Sequence, residues 1–232
     1  MNAGLQVFND EQILQIDSDY RNPRIAFSGY CNTRAVGGNS YFVNIGLDPA
    51  TSTALECPMV IIRPEATGQF VGGCFVNSPY EAFGSTPARP HGGVQLWGQC
   101  PFDWAVLSTR VGMGSGGSPY GMDVFDAQGN LVFASAYRQL RITQVFDDPN
   151  SQGWPKTFNL TKGQANPWLW ANPMIGLAGG TGNEEFPGIV GRFNGARNQL
   201  TVAAVDLVTM APLIGGGNPF AGVRRLFGTA TY

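Results

Sequence analysis

Residues 4–25 read GLQVFNDEQILQIDSDYRNPRI, and residues 121–142 read GMDVFDAQGNLVFASAYRQLRI. Aligned without a gap at an offset of 117 residues, nine of the 22 positions are identical. Ordinary residue frequencies give roughly one or two such matches by chance. A weaker match, PMV at 58–60 against PMI at 173–175, lies at a similar offset. The identical pairs are Gly4/Gly121, Val7/Val124, Phe8/Phe125, Leu14/Leu131, Ser18/Ser135, Tyr20/Tyr137, Arg21/Arg138, Arg24/Arg141 and Ile25/Ile142. The chain is therefore predicted to be a tandem duplication.

A glycine-rich segment separates the two copies. Residues 112–119 read GMGSGGSP, a composition that gives the backbone high conformational freedom and is typical of a joint between folded units. We therefore expect an N-terminal domain over residues 1–114 and a C-terminal domain over residues 115–232.

Each copy of the repeat has the pattern of a β-hairpin. In the second copy, β-favouring residues flank DAQGN at 126–130, and in the first copy the bend is expected at NDEQ, residues 9–12. Further strands are predicted at 41–45, 59–62, 70–76, 93–97, 104–109, 139–146, 168–170, 188–193, 199–208 and 222–227. Short strands between Gly or Pro turns favour an all-β fold with two tandem antiparallel β-sandwich domains.

Composition narrows the classes of function. Of 232 residues, 32 are glycine, 13% are charged, and the net charge is −2. Scattered arginines with only two lysines argue against nucleic-acid binding. The lack of a long apolar run or signal-like start predicts a soluble product made in the cytoplasm, without membrane insertion. So few charges favour a subunit of an assembly, although a sparingly charged monomer stays open.

The duplicated opening, G-x-x-V-F-[ND]-x-x-x-x-L-x-x-x-S-x-Y-R from Gly4 and again from Gly121, resembles a family of small tail-locus virion proteins of long-tailed bacteriophages. The resemblance covers about 22 residues in each half, and the first copy has Gln12 where the second has Gly129. It implies a place in the tail tip or baseplate, assembly in the host cytoplasm, contacts with other tail proteins, and a homotrimer or ring. A host-surface receptor is a further partner that it implies. The resemblance supplies no catalytic residues.

The chain presents no recognisable catalytic or cofactor-binding constellation. His91 is the single histidine, and no serine near it has the strand–Ser–helix context of a nucleophile elbow. The adjacent acids Glu184 and Glu185 in a glycine-rich loop are the least ordinary pair, and they more often solvate a loop or bind a cation than catalyse. No glycine-rich segment has phosphate-loop spacing. We expect a protein that is not an enzyme and needs no metal or cofactor.

Two groups of aromatic residues are candidates for packing, interface or ligand contacts. Trp168 and Trp170 lie on the same side of a predicted strand, where core packing, a subunit interface or a sugar-stacking platform are all open. The duplicated pairs Tyr20-Arg21 and Tyr137-Arg138 are expected to fix the strand that leaves each hairpin. Trp97 and Trp104 are expected in the core of the first half.

All four cysteines, Cys31, Cys57, Cys74 and Cys100, lie in the first half without a CxxC pair. Buried free thiols are therefore expected, and a zinc site is not.

Three functions are compatible with these observations. The first is a non-enzymatic structural protein of a phage tail tip or baseplate, with host attachment as an added role. The second is a lectin-like carbohydrate-binding module that uses Trp168 and Trp170. The third is a capsid decoration or head–tail joining protein.

Overall fold

The computed structural model describes residues 6–8, 14–17, 24–35, 40–46, 59–76, 93–108, 121–125, 131–135, 140–148, 155–161, 166–170, 187–207, 209–212 and 225–231. Every regular element in these ranges is a β-strand. The strands are β1 (Gln6–Phe8), β2 (Leu14–Asp17), β3 (Arg24–Cys31), β4 (Tyr41–Gly46), β5 (Met59–Pro64), β6 (Val71–Val76), β7 (Gly93–Gly98), β8 (Phe102–Ser108), β9 (Asp123–Phe125), β10 (Leu131–Ala134), β11 (Arg141–Asp148), β12 (Lys156–Asn159), β13 (Trp168–Trp170), β14 (Pro187–Phe193), β15 (Gln199–Asp206) and β16 (Arg225–Thr231).

The strands form two six-stranded antiparallel sheets and two small hairpins. Sheet I has the order β11-β16-β13-β5-β8-β3, and sheet II has the order β12-β15-β14-β6-β7-β4. The hairpins β1-β2 and β9-β10 each form a two-stranded sheet of their own. The predicted all-β fold of antiparallel sandwich type is confirmed.

The main core lies between the two sheets. Its buried side chains come from both, for example Ile62 and Leu169 of sheet I and Leu96 and Leu200 of sheet II, all fully buried. Burying a side chain of this size stabilises the fold by roughly 1.5–3 kcal/mol. Strand alternation turns Ile61 to the opposite, outer face of sheet I, where it is also buried in a second cluster. Because β5 is buried on both faces, its sequence is an almost continuous apolar run.

The backbone pairing repeats between the two halves. In the first hairpin Gln6 pairs with Asp17, and in the second Asp123 pairs with Ala134, which are the same positions shifted by 117 residues. Each hairpin also has one register irregularity, and the two lie at the same repeat position. The predicted hairpins are confirmed, while the bends at 9–12 and 126–130 lie outside the described residues.

The same correspondence continues into the next strand of each half. Both β3 and β11 have eight residues, beginning at Arg24 and Arg141. Each contains a bulge, between Ile25 and Phe27 in β3 and between Ile142 and Gln144 in β11. A bulge bends a strand at a defined point, so its recurrence at the same position is a structural signature of the duplication.

The described strands of residues 1–114 and of residues 115–232, the two predicted domains, are shared between the same two sheets. Each half contributes three strands to each sheet, and the halves join edge to edge through β5-β13 in sheet I and β6-β14 in sheet II. These two pairings satisfy backbone N–H and C=O groups that a free strand edge would leave unpaired. The predicted joint at 112–119 lies outside the described residues.

Candidate interaction surfaces

A row of polar and aromatic side chains crosses the first half of sheet I. Tyr30 of β3 pairs with Asp103 of β8, and Asp103 pairs on its other side with Arg63 of β5. Arg63 donates from Nε and Nη2 to Asp103 Oδ2, at 3.0 and 2.6 Å. We call Tyr30, Asp103, Arg63 and Glu65 the Tyr30 row. Its position is set by register, because directly opposite residues of antiparallel strands share a face.

The exposed end of this row is Tyr30, of which 51% is accessible to solvent. Its hydroxyl donates to Glu65 Oε2 at 2.9 Å. This hydrogen bond raises the pKa of Tyr30, with smaller contributions from desolvation and from the negative charges of Glu65 and Asp103. Tyr30 therefore keeps its proton above neutral pH and presents a hydroxyl rather than a phenolate to a partner.

At the inner end of the Tyr30 row, Arg63 packs against Trp168. The guanidinium carbon of Arg63 lies 4.5 Å from the centroid of the Trp168 ring, a cation–π arrangement. Trp168 is 3% exposed and packs with Ile61 and Ala105 in the outer cluster of sheet I. Of the three roles that the sequence leaves open for Trp168, the structure therefore gives core packing.

Trp170 is partly buried, and its Nε1 has no hydrogen-bond partner among the described residues. A side chain at Gly228 would lie 3.1 Å from its ring, so the glycine leaves room for the indole. Trp97 is buried and Trp104 is packed against the main core, as the sequence predicts.

The Tyr30 row is not repeated in the second half. The position that corresponds to Tyr30 in β11 is Asp147, and its cross-strand neighbour is Leu226, where the first half has Asp103. The duplication preserved the backbone of this region while its side chains diverged. The side chains of the Tyr30 row therefore distinguish the first half from the second.

A second surface lies in the second half. Among the large apolar side chains, Ile142 and Val145 of β11 are 42% and 50% exposed, and Met122 and Phe125 of the second hairpin are 43% and 55% exposed. Single exposed apolar residues are ordinary, but two on one edge strand are not. Sequence periodicity indicated none of this, because it does not tell which strand lies at an edge.

The repeat motif has a visible structural role at Gly121. Met122 N donates to Ser135 Oγ at 2.7 Å, and Ser135 N donates to the Met122 carbonyl at 2.9 Å. A Cβ at Gly121 would lie 2.5 Å from Ser135 Oγ. In the second copy, this contact gives the glycine and the serine of the repeat motif a joint structural role, while Gly4 and Ser18 lie outside the described residues.

The remaining predicted residues stand as follows. Phe125 is exposed in β9, and Phe8 is described by its backbone only, which pairs with Leu14. Those outside the described residues are Gly4, Tyr20, Arg21, His91, Tyr137, Arg138, Glu184 and Glu185. Sequence reasoning missed the whole Tyr30 row.

The two cysteines whose side chains are described are free and buried. Burial raises the pKa of both Cys31 and Cys100, and backbone hydrogen bonds offset this only in part. A buried thiol with a raised pKa is chemically inert at neutral pH. The prediction of buried free thiols is thus confirmed for Cys31 and Cys100.

Compared with protein families, curated proteins and solved structures, the chain gives no match. Within the described ranges, no helix is long and apolar enough to cross a membrane. In the same ranges, no group of three or more His, Cys, Asp or Glu side chains is arranged to hold a metal ion.

Proposed function

We propose that this chain is a structural virion protein of a bacteriophage tail, located at the tail tip or baseplate. The observation that carries the proposal is the duplicated opening at Gly4 and Gly121, which resembles that of small tail-locus proteins. The role is assembly of the tail, with attachment to the host surface as an added function, and it needs no catalytic residue or cofactor.

The geometry of the two hairpins supports this proposal. Both carry the motif, both pair in the same register, and neither belongs to the six-stranded sheets. They are small modules added to a well-packed body, and the second exposes Met122 and Phe125. Such modules are suited to contacts with neighbouring proteins in a particle.

The surface chemistry of the chain supports an assembly subunit as well. Only 13% of its residues are charged, against about 25% in typical domains. Fewer charges mean weaker repulsion between copies and partners. The proposed partners are other tail proteins and further copies of the chain, with assembly in the cytoplasm of the host.

The test uses purified phage particles that carry the gene for this chain. We expect peptides of the chain in the particles by mass spectrometry, and antibodies against it to label the distal end of the tail by immunogold electron microscopy. Labelling of the capsid or of the neck would favour a capsid decoration or head–tail joining protein instead. Absence of the chain from intact particles would contradict every virion role.

Carbohydrate binding is a second candidate, and the Tyr30 row favours it. Tyr30 offers an exposed ring and hydroxyl beside two carboxylates and a guanidinium, groups that hydrogen-bond sugar hydroxyls. The low exposure of Trp168 makes it a poor stacking platform, so the Tyr30 row is a better candidate sugar site than Trp168. A glycan array separates the candidates. Binding that Tyr30→Ala abolishes and that Phe125→Ala, at an equally exposed aromatic residue, retains supports a lectin, and no binding to any glycan counts against it.

A further inference from the structure

We propose that the junction between the two halves is an exchange surface, through which two copies of this chain swap their second halves and form a dimer. The first half comprises β1 to β8, the second half comprises β9 to β16, and they meet at the pairs β5-β13 and β6-β14. In the exchanged dimer, the first half of each copy packs on the second half of the other copy. The contacts are those that the structure shows within one chain. This inference goes beyond the proposed function, because it concerns pairing between copies of the chain itself.

The buried clusters are shared by the two halves. Each of the three clusters of buried apolar side chains contains residues from both. On the outer face of sheet II, Trp97 of the first half and Val190 of the second belong to one cluster. On the outer face of sheet I, Ile61 of the first half and Trp168 of the second belong to another. Each half therefore needs the apolar surface of a partner half to exclude water, and a second copy of the chain supplies the same surface.

Two arginines cross the junction in opposite directions. Arg63 of the first half lies over the Trp168 ring of the second, and each ring centroid in these contacts is 4.5 Å from the guanidinium carbon. Arg192 of the second half lies over the Phe70 ring of the first. A pair of two first halves would contain neither Trp168 nor Arg192, and would lose both cation–π contacts. The junction therefore selects an unlike half, and a second copy of this chain offers one.

The backbone joins the halves at few positions. β5 and β13 share two residue pairs, and β6 and β14 share three. These pairs link residues far apart in the sequence, such as Ile62 with Leu169. Pairings of this kind form only after the long loop between them has closed. During folding, the second half of a neighbouring copy can therefore compete for the same junction.

Concentration decides which copy supplies the second half. The halves are connected by residues 109–122, whose sequence includes GMGSGGSP. A short flexible connection gives the attached half an effective concentration in the millimolar range. Because the contacts are the same in both forms, exchange between copies matches the closed monomer only when the chain itself reaches about 1 mM. Reciprocal exchange between two copies fills both junctions, so the assembly closes as a twofold dimer.

The first test refolds the full chain from urea in reducing buffer and measures molar mass by size-exclusion chromatography with light scattering. We expect about one chain in a hundred in dimers after refolding at about 10 µM, and about half of the chains after refolding at about 1 mM. The dimer should persist on dilution, because release of an exchanged half exposes the shared core. Unfolding the isolated dimer and refolding it at about 10 µM should return monomer.

Mixed dimers distinguish exchange from ordinary surface association. Two versions of the chain with different N-terminal tags should form mixed dimers when they are refolded together at about 1 mM. The same versions mixed after folding are the control and should form none. Mixed dimers from chains that are already folded would overturn the proposal, and so would monomer alone at every concentration. Trimers or larger rings would overturn it as well.

Cysteine variants show where the copies meet. Ile61 lies directly opposite Trp170 across the junction, and such Cα atoms are about 4.5–5.5 Å apart, within the range that a disulfide spans. When Ile61→Cys in one version and Trp170→Cys in the other are refolded together and mildly oxidised, we expect a peptide linked through positions 61 and 170 by mass spectrometry. Each variant refolded alone lacks this link and is the control.

Circular dichroism checks that both cysteine variants fold, and the tagged wild-type chains test the proposal independently of them. A mixed dimer of folded cysteine variants without the 61–170 link would place the contact elsewhere and contradict exchange at this junction. None of these measurements uses phage particles, so their outcome is independent of the proposed virion role.

Discussion

Ile61 of β5 lies directly opposite Trp170 of β13, and the two residues occupy the same position in the two halves of the chain. The equivalence follows from two matching rows of sheet I, Ile25–Leu107–Met59 in the first half and Ile142–Ala230–Trp168 in the second. A residue that faces its own counterpart marks a local twofold axis. The duplicated chain is therefore arranged in sheet I as a symmetric dimer would be, with both halves in one polypeptide.

We expect the protein to unfold in one cooperative step. Both sheets and the main core contain residues of both halves, so neither half can unfold without exposing the core of the other. Differential scanning calorimetry should give equal calorimetric and van't Hoff enthalpies. Two separate transitions, or cooperative folding of an isolated fragment 1–114, would support two independent domains instead.

Truncation of the side chain next to the axis should be costly. Leu169 is fully buried between the sheets, and Leu169→Ala should lower the free energy of unfolding by about 3 kcal/mol through lost burial and the cavity left behind. Urea denaturation measures this change. Met122→Ala, at a side chain 43% exposed, is the control and should stay within about 0.5 kcal/mol. Similar costs for both would contradict the central position of Leu169.

Two ion pairs of similar length should differ in strength. Lys156 Nζ lies 2.6 Å from Asp148 Oδ1, and the Asp148 side chain is 1% exposed. The Arg63–Asp103 pair is also 2.6 Å long, but its side chains are 27% and 36% exposed, so water screens it. Double-mutant cycles with Lys156→Met and Asp148→Asn should give a coupling of about 2 kcal/mol, and the Arg63–Asp103 cycle about 1 kcal/mol or less. The reverse order would show that burial does not govern these pairs.

The two described cysteines should react slowly in the folded protein. Because burial raises the pKa of Cys31 and Cys100 above the ordinary value of 9.0, few of these thiols are ionised at pH 8. Alkylation followed by peptide mass spectrometry should be at least about tenfold slower than in urea, which is the control. Because the pKa of each thiol is higher in the folded state, the thiols of the unfolded state ionise first as the pH rises above about 9. The free energy of unfolding therefore decreases over that range. Rapid labelling of either thiol in the native protein at pH 8 would contradict this.

The strands were largely predictable because their signals are local. Alternating or continuous apolar runs bounded by Gly and Pro located ten strands, all overlapping observed ones. The two missed strands have weak signals: β3 contains Ser28 and Gly29, and β12 has only four residues. The repeat itself contained the information on β3, since Arg24 and Ile25 align with the first residues of β11.

The Tyr30 row and the joining of the halves were not predictable for a physical reason. Tyr30 and Asp103 are 73 residues apart, and Arg63 and Asp103 are 40 apart, so their contact depends on which strands become neighbours. Two separate sandwiches, one for each half, and a single sandwich shared by both halves would bury the same strands with the same alternation of apolar and polar residues. The difference lies in two edge pairings, β5-β13 and β6-β14, which no periodicity encodes.

The junction of the halves in sheet II should be sensitive to a single methyl group. Gly72 of β6 pairs with Val190 of β14, and a Cβ there would lie 2.9 Å from Val190 Cα and would also collide with the Ile189 carbonyl oxygen. Backbone cannot move aside as a flexible side chain can, so Gly72→Ala should destabilise the fold by about 1–3 kcal/mol in urea denaturation. Gly195, in the turn between β14 and β15, has no atom within 4 Å of the position that a Cβ would take, and Gly195→Ala should be neutral or slightly stabilising. Equal stabilities of the two variants would mean that β6 and β14 do not approach each other this closely, and with that the shared sheet would lose its support.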